Sequence, residues 1–544
     1  MTTDAAPAVT VAGDAPLAAR VVPRATAERE RRPWIPVAYP TLVGGGFFLS
    51  LFVASGASPF ATTRMILVSV AACLVVSAAS GALMRDRHRG GLLALAVILI
   101  LITGNNTMRL AAILIGIAAL AVERIASRRR PSRLSWPLVT RLGNMAGVIL
   151  LLAVGIKAAQ DGTLTAIVDD VHTEGPAFIR PPAAAPAFIA PVAAQRPDIY
   201  VVLLDGYLRP DKQASLFGHD DSAFVDALEG RGFDVAARSR SNYLLTILSL
   251  SSALNMRHLT DQTLLATLPA SDVRHVRAAR RLLNDNEVFR ELHAQGYETV
   301  ALSPGFEEVA LRDADRFIDT GQLNEVEVLT FRQTLLGELV SSVAPNAFAD
   351  SQRARIDATF AAAASVAAEP HDRPRFVFIH VPSPHAPVVF DAAGGPVAAR
   401  DLRTFYEESG PVRGLTRAQF GAAYSGQIEY LNRKAVGLVD AILGANRTPP
   451  VILVMSDHGS ASALDFADPE HGDLDERSSN LFAAFTPGHD GMYGDDITLV
   501  NVFGRLLDAY FGTSHPAQPD TLYRWTGSSV FNLVAVPPFA SATP

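Results

Sequence analysis

Five stretches near the front of this 544-residue chain, at residues 35–54, 65–84, 91–103, 110–122 and 145–159, are apolar and nearly free of charge. About 20 apolar residues span the hydrocarbon core of a bilayer, and about 17 is a lower bound. Stretches of this kind, each bounded by polar or charged residues, predict a bundle of about five transmembrane helices. The third and fourth are short, so they form either a tight hairpin that borrows Gly90 and Asn105-Asn106-Thr107, or a re-entrant pair. Both arrangements return the chain to the side it left. The first stretch begins only at residue 35 and is too long for the apolar segment of a cleaved signal peptide.

Arginine placement orients the bundle, because positive charge beside a span is retained in the cytoplasm. Arg20, Arg24, Arg29, Arg31 and Arg32 precede the first stretch; Arg85, Arg87 and Arg89 follow the second; Arg124, Arg128, Arg129, Arg130 and Arg133 follow the fourth. Arg64 and Arg109 border the opposite face. The N-terminus is therefore expected in the cytoplasm and everything after the fifth stretch outside it. No acidic or basic side chain lies mid-span, where a transporter would need a coupling site. The formal charge of −7 provides no basic field for nucleic acid. The one cysteine, Cys73, sits inside an apolar stretch, which excludes an intramolecular disulfide, a cysteine metal site and a thiol nucleophile in the rest of the chain.

The organisation that follows is a cytoplasmic tail at 1–33, a helix bundle at 34–159, a Pro/Ala-rich linker at 160–196, an extracytoplasmic domain at 197–535 and a short tail at 536–544. The linker holds the near-repeat Pro176-Ala177-Phe178-Ile179 and Pro186-Ala187-Phe188-Ile189, a composition suited to an extended spacer. Its two Phe-Ile pairs equally suit packing on the domain or on the membrane surface. From residue 197 onward, short apolar runs alternate with helical patterns, which predicts an α/β fold with a mainly parallel central sheet between helices. Strands are expected at 199–204, 299–303, 376–381, 451–456 and 481–485, and helices at 222–230, 286–295, 352–368, 417–443 and 498–511.

In open parallel sheets, ligands bind beyond the carboxyl ends of the strands. The first expected strand ends in Asp205-Gly206-Tyr207, the third in His380 and then Pro384-His385-Ala386-Pro387, and the fourth in Ser456-Asp457-His458-Gly459. Carboxylates and an imidazole at neighbouring strand ends form an oxygen and nitrogen set suited to a divalent ion such as Mn²⁺ or Zn²⁺. A further segment, Ser241-Asn242-Tyr243-Leu244-Leu245-Thr246, leads into helical spacing. That puts the Thr246 hydroxyl where a helix start favours an anion, and metal coordination would lower its pKa enough to make it a nucleophile.

Taken together, Asp205-Gly206-Tyr207, the segment from Ser241-Asn242-Tyr243 through Thr246 to Ser252-Ala253-Leu254-Asn255, the segment from His380 to His385-Ala386-Pro387, and Ser456-Asp457-His458-Gly459 resemble the alkaline phosphatase superfamily. The nearest likeness is to its membrane-anchored sulfatase-like branch, which includes lipoteichoic acid synthases and phosphoethanolamine transferases. The resemblance implies that Asp205, Thr246, Asp457 and His458 ligate one divalent ion, Mn or Zn before Ca or Mg, with Thr246 as nucleophile. His385 would contact the charged group of the substrate, with Asn242 and His380 also on the substrate side. Lipoteichoic acid synthases usually begin the metal set with Glu where this chain has Asp205, which sets it apart from them. Sulfatases need a modified Cys or Ser in a C/S-x-P-x-R context, and none stands near Thr246. Two-metal phosphatases need more ligands, for which Asp468-Pro469-Glu470-His471 and His515 are the only sequence candidates, so a second metal is unsupported.

The expectation is an envelope-located, metal-dependent phosphoester transferase or hydrolase acting on a phospholipid headgroup or a cell-envelope polymer. The alternatives are a sulfuric ester hydrolase and a non-catalytic envelope protein that keeps the fold.

Overall fold

Side chains that would be costly in water have to be covered by lipid or by one another, and the front of the chain meets that demand with helices. A computed structural model describes residues 35–55, 59–102, 113, 135–160, 163–164, 196–261, 273–397, 416–466, 468–527 and 529–537. Its first four helices are α1 (Tyr39–Ser55), α2 (Pro59–Met84), α3 (Arg87–Ile102) and α4 (Trp136–Gln160). Within them, Ala61–Met84 and Trp136–Gln160 are long and apolar enough to cross a membrane, while Tyr39–Val53 is apolar but shorter. The expected run at 110–122 lies, apart from Ile113, outside the described residues, as do the tail at 1–33, most of the linker and the arginines at 20–32 and 124–133. Four of the five expected spans thus coincide with described helices, of which two have full spanning length.

Small residues let these helices meet closely, as is usual where van der Waals contact rather than water exclusion drives association. A Cβ on Gly44 of α1 would stand 2.5 Å from Cys73 Sγ on α2, and one on Gly147 of α4 would stand 2.8 Å from Leu42 Cβ on α1. The backbone N–H groups of Ala38 and Tyr39 donate to Asn144 Oδ1 at 3.0 and 2.9 Å, tying the start of α1 to α4. The pairing expected of the third and fourth runs, a tight hairpin or a re-entrant pair, falls on residues outside those described; a close turn does join the second and third runs. Arg85 turns the chain with φ of 50°, Asp86 Oδ1 accepts from the N–H groups of His88 and Arg89, and Gly81 and Gly90 bring α2 and α3 together.

The chain then builds β1 (Ile199–Leu204), α5 (Pro210–Phe217), α6 (Ser222–Glu229), β2 (Asp234–Val235), α7 (Thr246–Asn255), α8 (Val273–Asn284), α9 (Glu287–Ala294), β3 (Glu298–Leu302) and β4 (Arg316–Ile318). It continues with α10 (Glu325–Arg332), α11 (Leu335–Val343), α12 (Ala347–Ala368), β5 (Arg375–Val381), α13 (Arg417–Ala445), β6 (Val451–Met455) and α14 (Leu474–Ser478). It ends with β7 (Phe482–Phe485), α15 (Val502–Phe511) and the hairpin β8 (Tyr523–Thr526) and β9 (Ser529–Ala535).

Seven strands form one sheet in the order β2-β7-β6-β1-β5-β3-β4. The pairs β6-β1, β1-β5, β5-β3 and β3-β4 are parallel, and β7 runs antiparallel to both β6 and β2. The sheet is therefore mixed and mainly parallel. All six residues of β1 are buried, as period-two alternation demands of a strand covered on both faces. Ile199, Val201 and Leu203 pack with α7, α8, α9 and α15 on one side; Tyr200, Val202 and Leu204 pack with α6, α12 and α13 on the other.

The helices and the sheet domain meet at the start of α2. Arg64 Nε donates to Glu327 Oε1 at 2.6 Å, its Nη2 pairs with Glu327 Oε2, and its two Nη groups reach the carbonyls of Gly321 and Gln322. Asn324 Nδ2 donates to Ala61 O at 2.8 Å beside it.

A Cβ on Gly90 would lie 2.4 Å from Gly81 Cα, whereas nothing lies within 4 Å of one on Gly155. Gly90→Leu should therefore cost at least the roughly 1–3 kcal/mol of ordinary overpacking. Thermal unfolding in detergent should show a clear loss for Gly90→Leu and little change for Gly155→Leu.

Candidate active site

Parallel pairing decides which residues can meet beyond the sheet. Leu203 of β1 is in register with Met455 of β6 on one side and with His380 of β5 on the other. Two residues beyond Leu203 stands Asp205, and two beyond Met455 stands Asp457, so the two carboxylates leave adjacent strands at equivalent positions. Both are buried. Adjacent strands lie about 4.8 Å apart, which is close enough for both carboxylates to face one centre.

Glycines tighten the loops that carry them. Gly206, at φ of 73°, directs its N–H to Asp457 Oδ1 at 3.0 Å, so the first loop orients the second carboxylate. A side chain on Gly459 would collide with Glu476 O at 2.2 Å and Ser479 O at 2.6 Å, which explains why glycine follows His458. Ser456 Oγ donates to His458 O at 2.7 Å and accepts from Tyr207 N–H at 2.8 Å, knitting the two strand ends.

Asp205, Asp457 and His458 are the one group of three such residues, among those described, whose ligand atoms converge closely enough to hold a metal ion, all within 4.8 Å of one another. His458 Nδ1 lies 3.0 Å from Gly459 O, which places its proton there and leaves Nε2 with a lone pair. That nitrogen is 2.9 Å from Asp457 Oδ2 and 3.9 Å from Asp205 Oδ1. Both of those oxygens are buried with no hydrogen bond directed at them. Lone pairs this close are stable only with positive charge between them, so the donor set fits a divalent cation. The Gly206 N–H donated to Asp457 Oδ1 favours the ionised form of this carboxyl. Asp457 is thus ionised, as a metal ligand must be.

Thr246 opens α7. Its Oγ1 lies 3.1 Å from His458 Nε2, and no side chain caps the helix start. As the first helical residue it leaves its own N–H and the next without a partner inside the helix, directed to where an anion would approach. Unlike the buried cluster, Thr246 is half-buried, so a substrate can reach it.

The remaining expected residues divide by role. His385 takes its place over the first loop: its N–H donates to Asp205 O at 2.8 Å, and its ring centroid is 6.3 Å from that of His458. His380, expected on the substrate side, is instead buried with Nε2 3.0 Å from Asp205 Oδ2, a position from which it orients that carboxylate. Asn242, also expected there, is buried as a brace. Its Oδ1 accepts from Val500 N–H at 2.9 Å and its Nδ2 donates to Thr521 O at 3.1 Å. Asn255 likewise holds backbone, at Ser251, Leu282 and Glu287.

Sequence reasoning missed Arg477. This arginine, only 1 % exposed, donates from Nε to Leu244 O at 2.8 Å and from Nη1 to Gly459 O at 3.2 Å. Its Nη2 lies 2.9 Å from His458 Nε2, so a bound cation and this N–H compete for one lone pair. A lone arginine in Asp473-Leu474-Asp475-Glu476-Arg477 offers no signal; only the fold brings it to the cluster. The second-metal candidates go elsewhere. Asp468 and His471 are exposed and paired with each other, and His515 bridges Asp508 and Glu291.

No family model matches this chain, and no curated protein matches it. Solved structures do match. The C-terminal periplasmic domain of EcEptC from Escherichia coli, in complex with Zn, aligns at 15% identity and TM-score 0.37 over 64% of this chain and 92% of that one. The soluble domain of lipooligosaccharide phosphoethanolamine transferase A from Neisseria meningitidis aligns at 14% identity and TM-score 0.34 over 58% and 88%. The phosphonate monoester hydrolase of Agrobacterium radiobacter aligns at 14% identity and TM-score 0.39 over 60% and 80%. Another phosphoethanolamine transferase domain, from Campylobacter jejuni, and a 2-O GAG sulfatase are also among the matches.

Titration of the purified chain with Zn²⁺ or Mn²⁺ checks the fit. Asp457→Asn should abolish tight binding, and His380→Ala should weaken it about 10–100-fold, the usual effect of removing a group that orients a ligand. For His515, burial lowers the imidazole pKa, yet Glu291 and Asp508 outweigh it and raise it above 6.5. Its stabilising contribution is then complete below pH 6.5 and is lost as pH rises through the raised value. Thermal unfolding across that range should show this slope in the parent and a flatter one in His515→Gln.

Proposed function

We propose that this chain is a multi-pass membrane enzyme that transfers or hydrolyses phosphoesters at the outer face of the membrane. The carrying observation is the meeting of Asp205, Asp457 and His458 around unpaired buried lone pairs, with the Thr246 hydroxyl 3.1 Å from the same imidazole. The superfamily resemblance of the motifs supports the same reading.

Asp205, Thr246, Asp457 and His458 would hold one divalent ion, Mn or Zn. When bound, it supplies Lewis-acid stabilisation of the threonine alkoxide and of charge on the phosphoryl oxygens. His380 keeps Asp205 in place, and the Gly206 N–H does the same for Asp457. In the first displacement, the bond from Thr246 Oγ1 to phosphorus forms as the bond to the leaving oxygen breaks. The threonine proton passes to solvent, and His385 supplies a proton to the leaving oxygen. The start of α7 faces the phosphoryl anion. In the second displacement the oxygen of an acceptor hydroxyl or of water bonds to phosphorus as the Thr246 Oγ1–phosphorus bond breaks; its proton returns to His385, and Thr246 regains a proton from solvent.

The topology in this proposal has the N-terminus in the cytoplasm, about five spans over 34–159, a linker at 160–196 and the catalytic domain at 197–535 outside. Arg64 supports it: the one described arginine assigned to the outer side by sequence is the one that grips the sheet domain. An outward site has no access to cytoplasmic nucleotides, so the donor is an exported phosphoester, a phospholipid headgroup or an envelope polymer.

The test compares bis-nitrophenyl phosphate with nitrophenyl sulfate, with and without chelator. The diester should be turned over in a metal-dependent way and the sulfate should not, and Thr246→Ala should lower turnover by about three orders of magnitude or more. Turnover that survives both chelation and Thr246→Ala, or a preference for the sulfate, refutes the proposal.

A further inference from the structure

Among the described residues, every large apolar side chain that stands exposed on the sheet domain falls in one short segment. These are Leu323, Leu329, Leu336, Leu339 and Val343, with exposures between 39% and 83%. All other such side chains belong to the N-terminal region, chiefly to α2 and α4. Scattered exposed leucines need no explanation, but confinement to one segment does.

The segment is a built hairpin of helices. Asn324 and Glu327 form a reciprocal capping box at the start of α10, and Thr334 Oγ1 accepts from Gly337 N–H at 3.1 Å to cap α11. A Cβ on Gly337 would stand 2.1 Å from Phe331 O, so glycine lets α11 close directly against the end of α10. On α11, Leu336, Leu339 and Val343 follow the spacing of one helical face, from which Glu338 is offset. Capped at their starts and closely joined, the two helices present an apolar stripe.

What covers the stripe follows from its neighbours. α10 packs on α2 and α11 on α3, so the hairpin sits beside the helices read as membrane spans. The grip of Arg64 on Glu327 and of Asn324 on Ala61 O fixes it at the outer start of α2. Three residues further along α2, Leu67 is 65% exposed and Val68 63%, as lipid-facing residues would be. The two surfaces belong to helices that pack on one another, α10 on α2.

We infer that the α10–α11 hairpin is a membrane-interface element, its leucine stripe buried at the headgroup and acyl boundary of the outer leaflet. The inference rests on the membrane reading of α2 and α3. It goes further by giving the sheet domain its own contact with lipid, which fixes the height of the catalytic cluster over the bilayer and selects phosphoesters presented at that surface. A helix with one apolar face and polar remainder takes this position by burying that face among headgroups.

The test places single cysteines at Leu329, Leu339 and Val343 in a Cys73→Ala background, with controls at Val75 on α2 and at exposed Ala393 in the sheet domain. The full chain carries an environment-sensitive fluorophore in vesicles of phosphatidylethanolamine and phosphatidylglycerol. The three hairpin probes should shift to the blue, be quenched by lipids with a nitroxide near the headgroup and lose most iodide quenching relative to Ala393. Substitution at exposed positions leaves the core intact. Hairpin probes that behave like Ala393 while Val75 is lipid-quenched overturn the inference and leave the membrane reading standing. Shielding from iodide without lipid quenching also overturns it, since a protein surface would then cover the stripe. A Val75 probe that lipid nitroxides fail to quench overturns both.

Discussion

The register between β1 and β6 is the constraint on which the site depends. Leu203 lies opposite Met455, so Asp205 and Asp457 emerge side by side from parallel strands. A shift of one residue would send one carboxylate to the other face of the sheet, because side chains alternate with a period of two. That register is held by two buried cores, since β1 alternates its side chains between helical layers on both faces. The hydrophobic core thereby serves as the ruler that spaces the two carboxylates.

Bringing two carboxylates together beneath a closed surface is electrostatically unfavourable unless other groups compensate. Here compensation comes from the Gly206 N–H on Asp457, from His380 on Asp205 and from the guanidinium of Arg477 beside His458. It remains incomplete at Asp205 Oδ1 and Asp457 Oδ2. Buried unpaired acceptors mark a place where the fold has kept binding capacity in reserve. The half-buried Thr246 stands on the approach to that place, at the start of a helix whose first N–H groups face the same way.

The front of the molecule follows another rule. Glycines at 44, 81, 90 and 147 bring helices into contact where larger residues would hold them apart. The sheet domain is joined to this bundle through side chains as well as along the chain, with Arg64 and Glu327 as the principal pair. Such a pair, with Glu327 buried and the arginine also binding carbonyls, restrains orientation more firmly than an exposed ion pair would. It orients the sheet domain relative to α2, and the leucine stripe of α10 and α11 lies at that same junction.

Most of the α/β framework was legible in the sequence. The five expected strands appear within a residue or so of their places, because strands buried on both faces are continuous apolar runs between turns, whether parallel or, like β7, antiparallel. The edge strands β2 and β4 were missed, being two and three residues long and partly exposed. The expected helix at 498–511 opens instead as a short 3-10 turn before α15, and α10 and α11 went unread because their apolar stripe does not face the core. Asp205, Asp457 and His458 were conspicuous because strand-end residues next to glycine are readable locally. Tertiary structure alone decided that Asn242 is a brace, that His380 supports a carboxylate, that His515 is a salt-bridge bridge and that Arg477 reaches the cluster. The physical reason is the range of the interactions. Period and turn chemistry act over a few neighbouring residues and are written in order along the chain, whereas a hydrogen-bond partner hundreds of positions away exists only once the sheet has set the distance.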